Sequence, residues 1–509
     1  MLRSITTVTF FISIAYSSLG AQEYSISPTS PFFKKIVESP NHNNSNPSNP
    51  IRVSALTFNR VFVCAPKNDY VWIVTDRYGV VSDIDGNGLN DIPFTAADYH
   101  SDLWSGDSWP GYAYVAFQTS PGNFQCVAVS NQHNTPYGIS VGDFNGDGKK
   151  DLVFSTARDN AAFTLRNNGG WSFTEQMIGQ GGGFPNHMAV RNVDAGPGAE
   201  ILYTDEYYRL FKYNFLSNSL TTLNTECMEG LSVADINNDG NQDIVCGTSN
   251  AISSGYIKFQ LNLGGNWSSL YLLNNQERYW HGVTTGDFNK DGKIDVASCS
   301  ADDRSIHIFY NNGGNPPTFT EAAVVNTGAF LDECELTVAD LDCDEDYDIV
   351  WSAFNWSGSG PTIGYLENGY PNNTWTNYII ENNTYEAYGV AVSYMNNDKK
   401  PDIIAGLNNG LYIYYNTSNV DTTKCAPITP VNVSENDYNK TDILVKENKI
   451  SISFKDNVNG YISIYDVVGN LLLSNKINGK SLNFKLNKKG VYIIDIRTDK
   501  VKTTRKIIL

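Results

Sequence analysis

The chain has 509 residues, of which 41% are hydrophobic and 18% charged. This composition excludes a disordered or coiled-coil protein, and the length predicts at least two domains. Glycine (42 residues) and tyrosine (30) are abundant while methionine (5) and histidine (6) are scarce, which favours strands and turns over helices. The net charge of −18 argues against nucleic acid or an anionic membrane as a partner. Residues 431–509 nevertheless carry 14 Lys/Arg against 8 Asp/Glu, so the two ends of the chain are expected to have different tasks.

The first 21 residues have the pattern of a secretory signal peptide. Arg3 precedes an apolar run from Val8 to Tyr16, and small residues follow up to Ala21. We therefore expect export, and no other stretch has the roughly 18 apolar residues that a membrane-spanning helix needs. In an exported chain the eight cysteines can form disulfides or remain as buried thiols, and the sequence leaves their pairing open.

A repeated acidic motif is the strongest signal in the chain. Five segments share the pattern Asp-x-[Asp/Asn]-x-[Asp/Asn]-x-x-x-Asp and begin at Asp83, Asp143, Asp235, Asp287 and Asp340. Two decayed copies, which begin at Asn192 and Tyr394, keep the register. Short apolar segments precede and follow the loops, such as GISVG and LVFST around the second copy. This arrangement predicts a β-hairpin whose turn is the acidic loop.

The spacing of the acidic residues is typical of calcium coordination. A hard cation takes six to eight oxygen ligands, which alternate residues of a tight loop can supply. Position 6 is glycine in four copies, which permits a sharp turn, and position 12 lacks the glutamate of an EF-hand. We expect about five calcium ions and none in the decayed loops. The predicted ligands are Asp83, Asp85, Asn87, Asp91, Asp143, Asn145, Asp147, Asp151, Asp235, Asn237, Asp239, Asp243, Asp287, Asn289, Asp291, Asp295, Asp340, Asp342, Asp344 and Asp348.

These repeats resemble the FG-GAP/VCBS family, whose members form β-propellers like the head of integrin α-subunits. The resemblance implies an all-β fold with a seven-bladed β-propeller over residues 22–416, one blade for each loop. Residues 31–41 resemble the outer strands of other repeats, so they are expected to complete the last blade and close the ring. Residues 43–75 do not match the repeat and are interpreted as an insertion, with a vestigial eighth blade as the alternative.

The C-terminal part is predicted to be a separate domain. Residues 417–430 have the composition of a linker, and short alternating strands in 431–509 predict a small antiparallel β-sandwich. The segments ISIYDVVGNLL and GVYIIDI, followed by a terminal Lys-Ile-Ile-Leu, resemble the C-terminal sorting domain of the type IX secretion system. The resemblance implies contact with that secretion machinery and a secreted or cell-surface protein.

A candidate ligand site follows from the direction of the strands. In FG-GAP propellers the metal loop lies on one face, so the strand before each loop begins at the opposite face. The residues at these strand starts are Arg77, Tyr137, His187, Glu229, His281, Glu335 and Tyr388. A ring of such side chains could bind a sugar or transfer protons, although hydrogen bonding between blades explains any one of them equally well.

The sequence favours a binding function over catalysis. It has no nucleophile elbow, Walker loop, dinucleotide fingerprint or HExxH zinc site. The leading hypothesis is a secreted or cell-surface calcium-binding propeller that acts as an adhesion module for carbohydrate or an extracellular protein. The alternatives are a polysaccharide lyase or hydrolase that uses His187 and His281 in the channel, and a purely structural surface protein.

Overall fold

The protein is described here by a computed structural model. It describes residues 56–66, 71–74, 81–98, 109–180, 183–194, 196, 198–249, 254–354, 360–382, 387–425, 441–446, 449–466, 471–485, 491–498 and 502–508. The predicted signal peptide and the segment 31–41 lie outside these residues. Within them the regular secondary structure is β, and no helix is long and apolar enough to cross a membrane. The chain divides into two compact units, residues 1–432 and 433–509.

The first unit contains seven antiparallel sheets, which are the blades of a β-propeller. Blade 1 contains β2 (Val71–Val74), β3 (Ile92–Asp98), β4 (Pro110–Ser120), β5 (Asn123–Ala128) and the short β6 (His133–Asn134). Blade 2 contains β7 (Pro136–Gly142), β8 (Asp151–Thr156), β9 (Ala161–Gly169) and β10 (Ser172–Gln180). Blade 3 contains β11 (Pro185–Arg191), β12 (Glu200–Asp205), β13 (Leu210–Asn214) and β14 (Ser219–Asn224). Blade 4 contains β15 (Glu229–Ala234), β16 (Asp243–Gly247), β17 (Ile257–Asn262) and β18 (Trp267–Leu272).

The remaining three blades repeat the same arrangement. Blade 5 contains β19 (Trp280–Gly286), β20 (Asp295–Ser300), β21 (Ser305–Gly314) and β22 (Pro317–Asn326). Blade 6 contains β23 (Asp332–Ala339), β24 (Asp348–Phe354), β25 (Pro361–Asn368) and β26 (Trp375–Asn382). Blade 7 contains β27 (Ala387–Ser393), β28 (Asp402–Leu407), β29 (Gly410–Asn416) and β1 (Phe58–Cys64). The prediction of a seven-bladed, all-β propeller is confirmed.

In blades 2 to 7 the first strand is more buried than the fourth. The first strands β11, β15, β19 and β27 are buried along their whole length, whereas β14 is largely exposed. A strand that contacts neighbouring blades on both faces needs apolar or small residues throughout, while an outer strand needs them only on one face. The short apolar segments before each acidic loop are therefore the innermost strands.

The ring is closed by a different segment from the one expected. Strand β1 pairs antiparallel with β29, from Phe58 opposite Asn416 to Cys64 opposite Leu411. The prediction that residues 31–41 supply this strand is wrong, because β1 already occupies the position next to β29. The interpretation of 43–75 as an insertion is likewise wrong for β1 and β2, which belong to blades 7 and 1.

Disulfides connect parts of the propeller that the sequence did not pair. Cys64–Cys126 joins β1 of blade 7 to β5 of blade 1, and Cys227–Cys246 lies within blade 4. Cys343–Cys425 attaches the middle of the predicted linker to the acidic loop of blade 6. The remaining two cysteines, Cys299 and Cys334, are buried. The first residues after β29 are thus held against the propeller.

The second unit is an antiparallel β-domain. Its strands are β30 (Thr441–Lys446), β31 (Lys449–Asp466), β32 (Leu471–Lys485), β33 (Val491–Thr498) and β34 (Lys502–Ile508). They form one hydrogen-bonded sheet, in which the long β31 pairs first with β30 and then with β33 while β32 runs along its other edge. Ile462 and Ile464 are buried and the intervening positions are not, as strand alternation requires.

Candidate functional site

Hydrogen bonds from the loop backbone orient the first carboxylate of the acidic loops. In the loop from Asp83, Oδ1 of Asp83 accepts hydrogen bonds from the N–H groups of Gly86 (2.8 Å) and Asn87 (3.0 Å), and Oδ2 accepts one from Gly88 (2.9 Å). The loop from Asp143 repeats the pattern. Gly88 has a φ of 86°, which glycine adopts at little cost. Oδ2 of Asp83 accepts one hydrogen bond and so keeps a lone pair for a cation.

The last carboxylate of each complete loop is buried and connects the loop to the third strand of its blade. In blade 5, Asp295 Oδ2 accepts a hydrogen bond from the N–H of Phe288 (2.9 Å) and Oδ1 accepts one from Asn311 (2.8 Å). Burial raises the pKa of Asp295 to about 7, and it raises the pKa of the equivalent carboxyl to about 6 in Asp91 and about 7 in Asp151 and Asp243. A nearby cation stabilises the charged form of such groups.

The carboxylates converge most closely in two loops. One oxygen of each member lies within 4.8 Å of the others in the triads Asp83–Asp85–Asp91 and Asp340–Asp342–Asp344. Oδ1 of Asp342 is buried and accepts no hydrogen bond from the described residues. Several carboxylate oxygens at this spacing match the ligand set of Ca²⁺. The residues present therefore fit the expected ion.

The decayed loop of blade 3 contains a positive charge from the chain itself. Lys212 Nζ lies 3.2 Å from Oδ2 of Asp194, at position 3 of the loop. Glu200 takes the place of the last aspartate, and its Oε2 accepts a hydrogen bond from the N–H of Val193 (3.0 Å). The sequence analysis missed Lys212, which lies 12 residues beyond the loop, at the centre of β13. Its ammonium group lies beside the carboxylates that a cation would otherwise neutralise.

Side-chain amides in the third strands connect the loops of neighbouring blades, and the sequence analysis missed these as well. Asn167 donates through Nδ2 to the carbonyl oxygen of Ile84 (2.8 Å) and through its backbone N–H to Oδ1 of Asp151 (2.8 Å). Equivalent bonds to the preceding loop are made by Gln118, Asn262, Asn311, Asn368 and Asn416. The available signal was an asparagine that recurs at the end of the third strand, often before glycine, as in RNNGG and YNNGG.

The opposite ends of the innermost strands bring three predicted ligand residues together. His187 at β11, Glu229 at β15 and His281 at β19 lie on strands of consecutive blades. His187 Nε2 lies 3.1 Å and His281 Nδ1 lies 3.8 Å from Oε2 of Glu229. Their side chains are 1%, 1% and 6% exposed for His187, His281 and Glu229. A ligand at this end would therefore contact the side chains around the group more readily than the group itself.

Glycines at the strand starts allow this close approach. Gly230 has a φ of 65°, and a Cβ on it would lie 2.6 Å from the carbonyl oxygen of His281. A Cβ on Gly282 would lie 2.4 Å from the carbonyl oxygen of Cys334. Larger residues would separate adjacent innermost strands, and with them Glu229 and His281.

Aromatic side chains lie around the same end of the propeller. Tyr207, in the turn between β12 and β13, is 56% exposed, and the guanidinium carbon of Arg209 lies 5.5 Å from its ring centroid. The ring of Tyr279 is tilted against His281 at 5.3 Å between centroids, and Tyr137 is half-buried against Phe184. These rings provide apolar faces beside the polar group.

Of the remaining predicted ligand residues, two are buried and one lies outside the described residues. Glu335 is buried at the start of the innermost strand of blade 6. Tyr388 is buried against Phe354, with 4.8 Å between the ring centroids, so it belongs to the core. Arg77 lies outside the described residues.

A second histidine–carboxylate group lies between blades 1 and 2. His133 Nε2 is 3.0 Å from Oε1 of Glu175, and Nδ1 is 3.6 Å from Oδ2 of Asp159. Burial opposes the charge on the ring, but the hydrogen bonds to Asp159 and Glu175 outweigh it and raise the pKa of His133 to about 9. His133 is therefore charged at neutral pH.

Comparison with protein families agrees with this architecture. Residues 235–298 and 287–351 match the family described as FG-GAP-like repeat, and residues 446–509 match the family described as secretion system C-terminal sorting domain. The protein is thus a seven-bladed β-propeller with FG-GAP-like repeats. Its sorting domain indicates type IX secretion and a secreted or cell-surface location. No curated protein sequence matches the chain.

Solved structures resemble the propeller at low sequence identity. BBS1N in complex with ARL6DN is 10% identical with a TM-score of 0.44, and the match covers 72% of this chain and 98% of that chain. YCF48 from Cyanidioschyzon merolae is 9% identical with a TM-score of 0.41, over 71% of this chain and 99% of that chain. At these values neither structure informs the function.

Proposed function

We propose that this secreted propeller binds calcium in its five complete loops and uses the opposite end as a binding surface, most favourably for carbohydrate. The calcium part rests on the convergence of carboxylate oxygens in the triads described above, together with the buried Asp342 Oδ1. Side chains at loop positions 1, 3, 5 and 9 would hold the ion. Bound there, calcium supplies the positive charge that the buried carboxylates need, and it stabilises the folded state because the unfolded chain has no such site.

Calcium stoichiometry and thermal unfolding test this part. Native mass spectrometry of the full chain should find about five calcium ions, and chelation should lower the Tm. Asp291→Ala, at position 5 of a complete loop, should remove one ion. Asp398→Ala changes the same position of the decayed loop from Tyr394 and should leave the count unchanged. A chain that retains no calcium at millimolar concentration would contradict the proposal.

The binding surface is supported by the side chains around the His187–Glu229–His281 group. Tyr207 and Tyr279 present aromatic rings, which pack on the apolar faces of sugars, and Arg209 provides hydrogen-bond donors beside Tyr207. The buried group fixes the start of the innermost strand β19, which Tyr279 directly precedes, whereas Tyr207 and Arg209 lie in the turn between β12 and β13. This combination of an exposed ring with adjacent polar groups is typical of carbohydrate sites.

A glycan array probed with the full chain tests this surface. Saturable binding to a defined glycan is expected. Tyr207→Ala should reduce the affinity for that glycan about ten-fold or more, because it removes one stacking contact and the apolar area buried in it. Tyr461 is 58% exposed in the second unit, so Tyr461→Ala is a matched control that should bind normally. Equal binding by the two variants would exclude Tyr207 from the site, and a blank array would favour a protein partner or a structural role.

Polysaccharide cleavage is the second candidate, favoured by the contact of both histidines with one carboxylate. Two imidazoles beside Glu229 could transfer protons to or from a sugar. The test is whether the wild-type protein releases product from a bound polysaccharide and whether His281→Ala abolishes that release while binding persists. Both results together would replace the binding hypothesis. Binding without release would leave it in place.

A further inference from the structure

The closing carboxylates of the first two loops are connected by an unbroken path of hydrogen bonds. Asp91 Oδ2 accepts a hydrogen bond from the N–H of Ile84 (2.8 Å), and the carbonyl oxygen of Ile84 accepts one from Asn167 Nδ2 (2.8 Å). The backbone N–H of Asn167 donates in turn to Oδ1 of Asp151 (2.8 Å). The backbone of one residue, Ile84, and one asparagine thus join two predicted ligands, and both carboxylates are fully buried.

The same path recurs at five further blade junctions. Going around the ring, the side-chain amides contact the second residue of the preceding loop in the pairs Gln118–Met395, Asn262–Val193, Asn311–Ile236, Asn368–Phe288 and Asn416–Leu341. The backbone N–H of each of these amide residues donates to the closing aspartate of its own blade.

The junction of blades 2 and 3 is different. Asn214 occupies the corresponding strand position, but its Nδ2 donates to Oε1 of Glu200 in its own blade (3.0 Å). The loop from Asp143 is reached instead by the backbone N–H of Ala199, which donates to the carbonyl oxygen of Asp143 (2.9 Å). The path of side-chain amides therefore runs from Glu200 through blades 4, 5, 6, 7 and 1 and ends at Asp151.

We infer that these amides couple the calcium loops, so that a cation in one loop strengthens cation binding in the next. The inference rests on the proposed calcium binding. A bound cation fixes the closing carboxylate, which fixes the loop residue whose N–H it accepts. The carbonyl group of that residue orients the asparagine, and the asparagine positions the next carboxylate. Because the path is buried, solvent does not screen it.

Coupling between adjacent loops has a measurable consequence. Emptying one loop should weaken cation binding in the neighbouring loop about five-fold or more, which is the lower end of the coupling usually found between sites. The effect should be reciprocal. Removing the connecting amide should abolish this dependence. Asn167 and its equivalents are then positioning residues for two loops at once.

The chain contains a reporter for the first loop. Trp171, in blade 2, donates through Nε1 to Oδ2 of Asp85 (2.8 Å). Tb³⁺ is a hard cation with the same preference for oxygen ligands, and its luminescence is excited by a tryptophan in close proximity. Titration of the full chain with Tb³⁺, with Trp171→Phe as the blank for other tryptophans, therefore measures binding in the loop from Asp83.

The experiment is a double-mutant cycle between the second loop and Asn167. The double substitution Asn145→Ala and Asp147→Ala removes two predicted ligands and empties the second loop. This change should weaken Tb³⁺ binding in the first loop about five-fold or more. In an Asn167→Ala background the same pair should have no effect. Asn214→Ala is the matched control, because its amide makes no bond between loops, and in that background the five-fold effect should persist. Asn167→Leu, which keeps the volume, replaces Asn167→Ala if the latter lacks the native circular dichroism spectrum.

The outcomes separate the two proposals. A signal that depends on Trp171 but is unaffected by emptying the second loop would overturn coupling and leave cation binding intact. The same dependence in the wild-type and Asn167 backgrounds would show that the asparagine does not carry the coupling. Absence of any Trp171-dependent signal would overturn cation binding in the first loop and the coupling with it.

Discussion

Removal of the Cys64–Cys126 disulfide is expected to loosen the ring at one junction. The bond joins β1, the fourth strand of blade 7, to β5 of blade 1 across 62 residues of sequence. A cross-link of this span lowers the conformational entropy of the unfolded chain, which stabilises the folded state by about 4 kcal/mol. The variant Cys64→Ala with Cys126→Ala should lose roughly that much free energy of unfolding. Its β1 amides should also exchange faster, because β1 would lose its covalent link to blade 1.

Denaturant unfolding at fixed calcium concentration and hydrogen exchange measure the two effects. The matched control removes Cys227–Cys246, which spans 19 residues within blade 4 and should cost about 3 kcal/mol. In that variant the backbone amides of β1 should exchange hydrogen at the same rate as in the wild type. The reasoning would be refuted if loss of Cys64–Cys126 cost less than about 1 kcal/mol, or if β1 exchange were unchanged.

Three further predictions concern single residues. The pKa of His133 is raised to about 9 in the folded protein. The stabilisation of the folded state by the charged imidazole is therefore fully present below pH about 6.5 and is lost as the pH rises through about 9. Relative to His133→Gln, the wild-type free energy of unfolding should fall by roughly 1–2 kcal/mol over that range, allowing for solvent screening, and parallel pH profiles would contradict this. Gly230→Ala should cost about 1–3 kcal/mol in denaturant unfolding. Gly264→Ala, which shares a positive φ but meets no atom within 4 Å, should cost less, and equal losses would exclude the steric argument. Lys212→Met should lower the free energy of unfolding by roughly 1 kcal/mol, and by the same amount with calcium as with chelator. A larger decrease with calcium would indicate that the loop of blade 3 binds an ion.

The sequence by itself determined the local structure. Each acidic loop with its flanking apolar segments is encoded within about 20 residues, because turn formation and strand alternation are short-range properties. Repetition of this unit in register carried the resemblance to FG-GAP repeats, and that resemblance implied seven blades. The alternation in the C-terminal segment was enough to predict a separate β-domain. Both predictions agree with the structure.

The tertiary structure decided every feature that joins distant parts of the chain. Phe58 pairs with Asn416. The sequence of neither strand identifies the other as its partner, because backbone hydrogen bonds are the same for all residues. The partners of Cys64 and Asn167, and the burial of His187 beside Glu229, depend likewise on which blades become neighbours. A ring brings the two ends of a repeat array together, so its closing strand and the contacts between blades become defined only when all seven blades are in place.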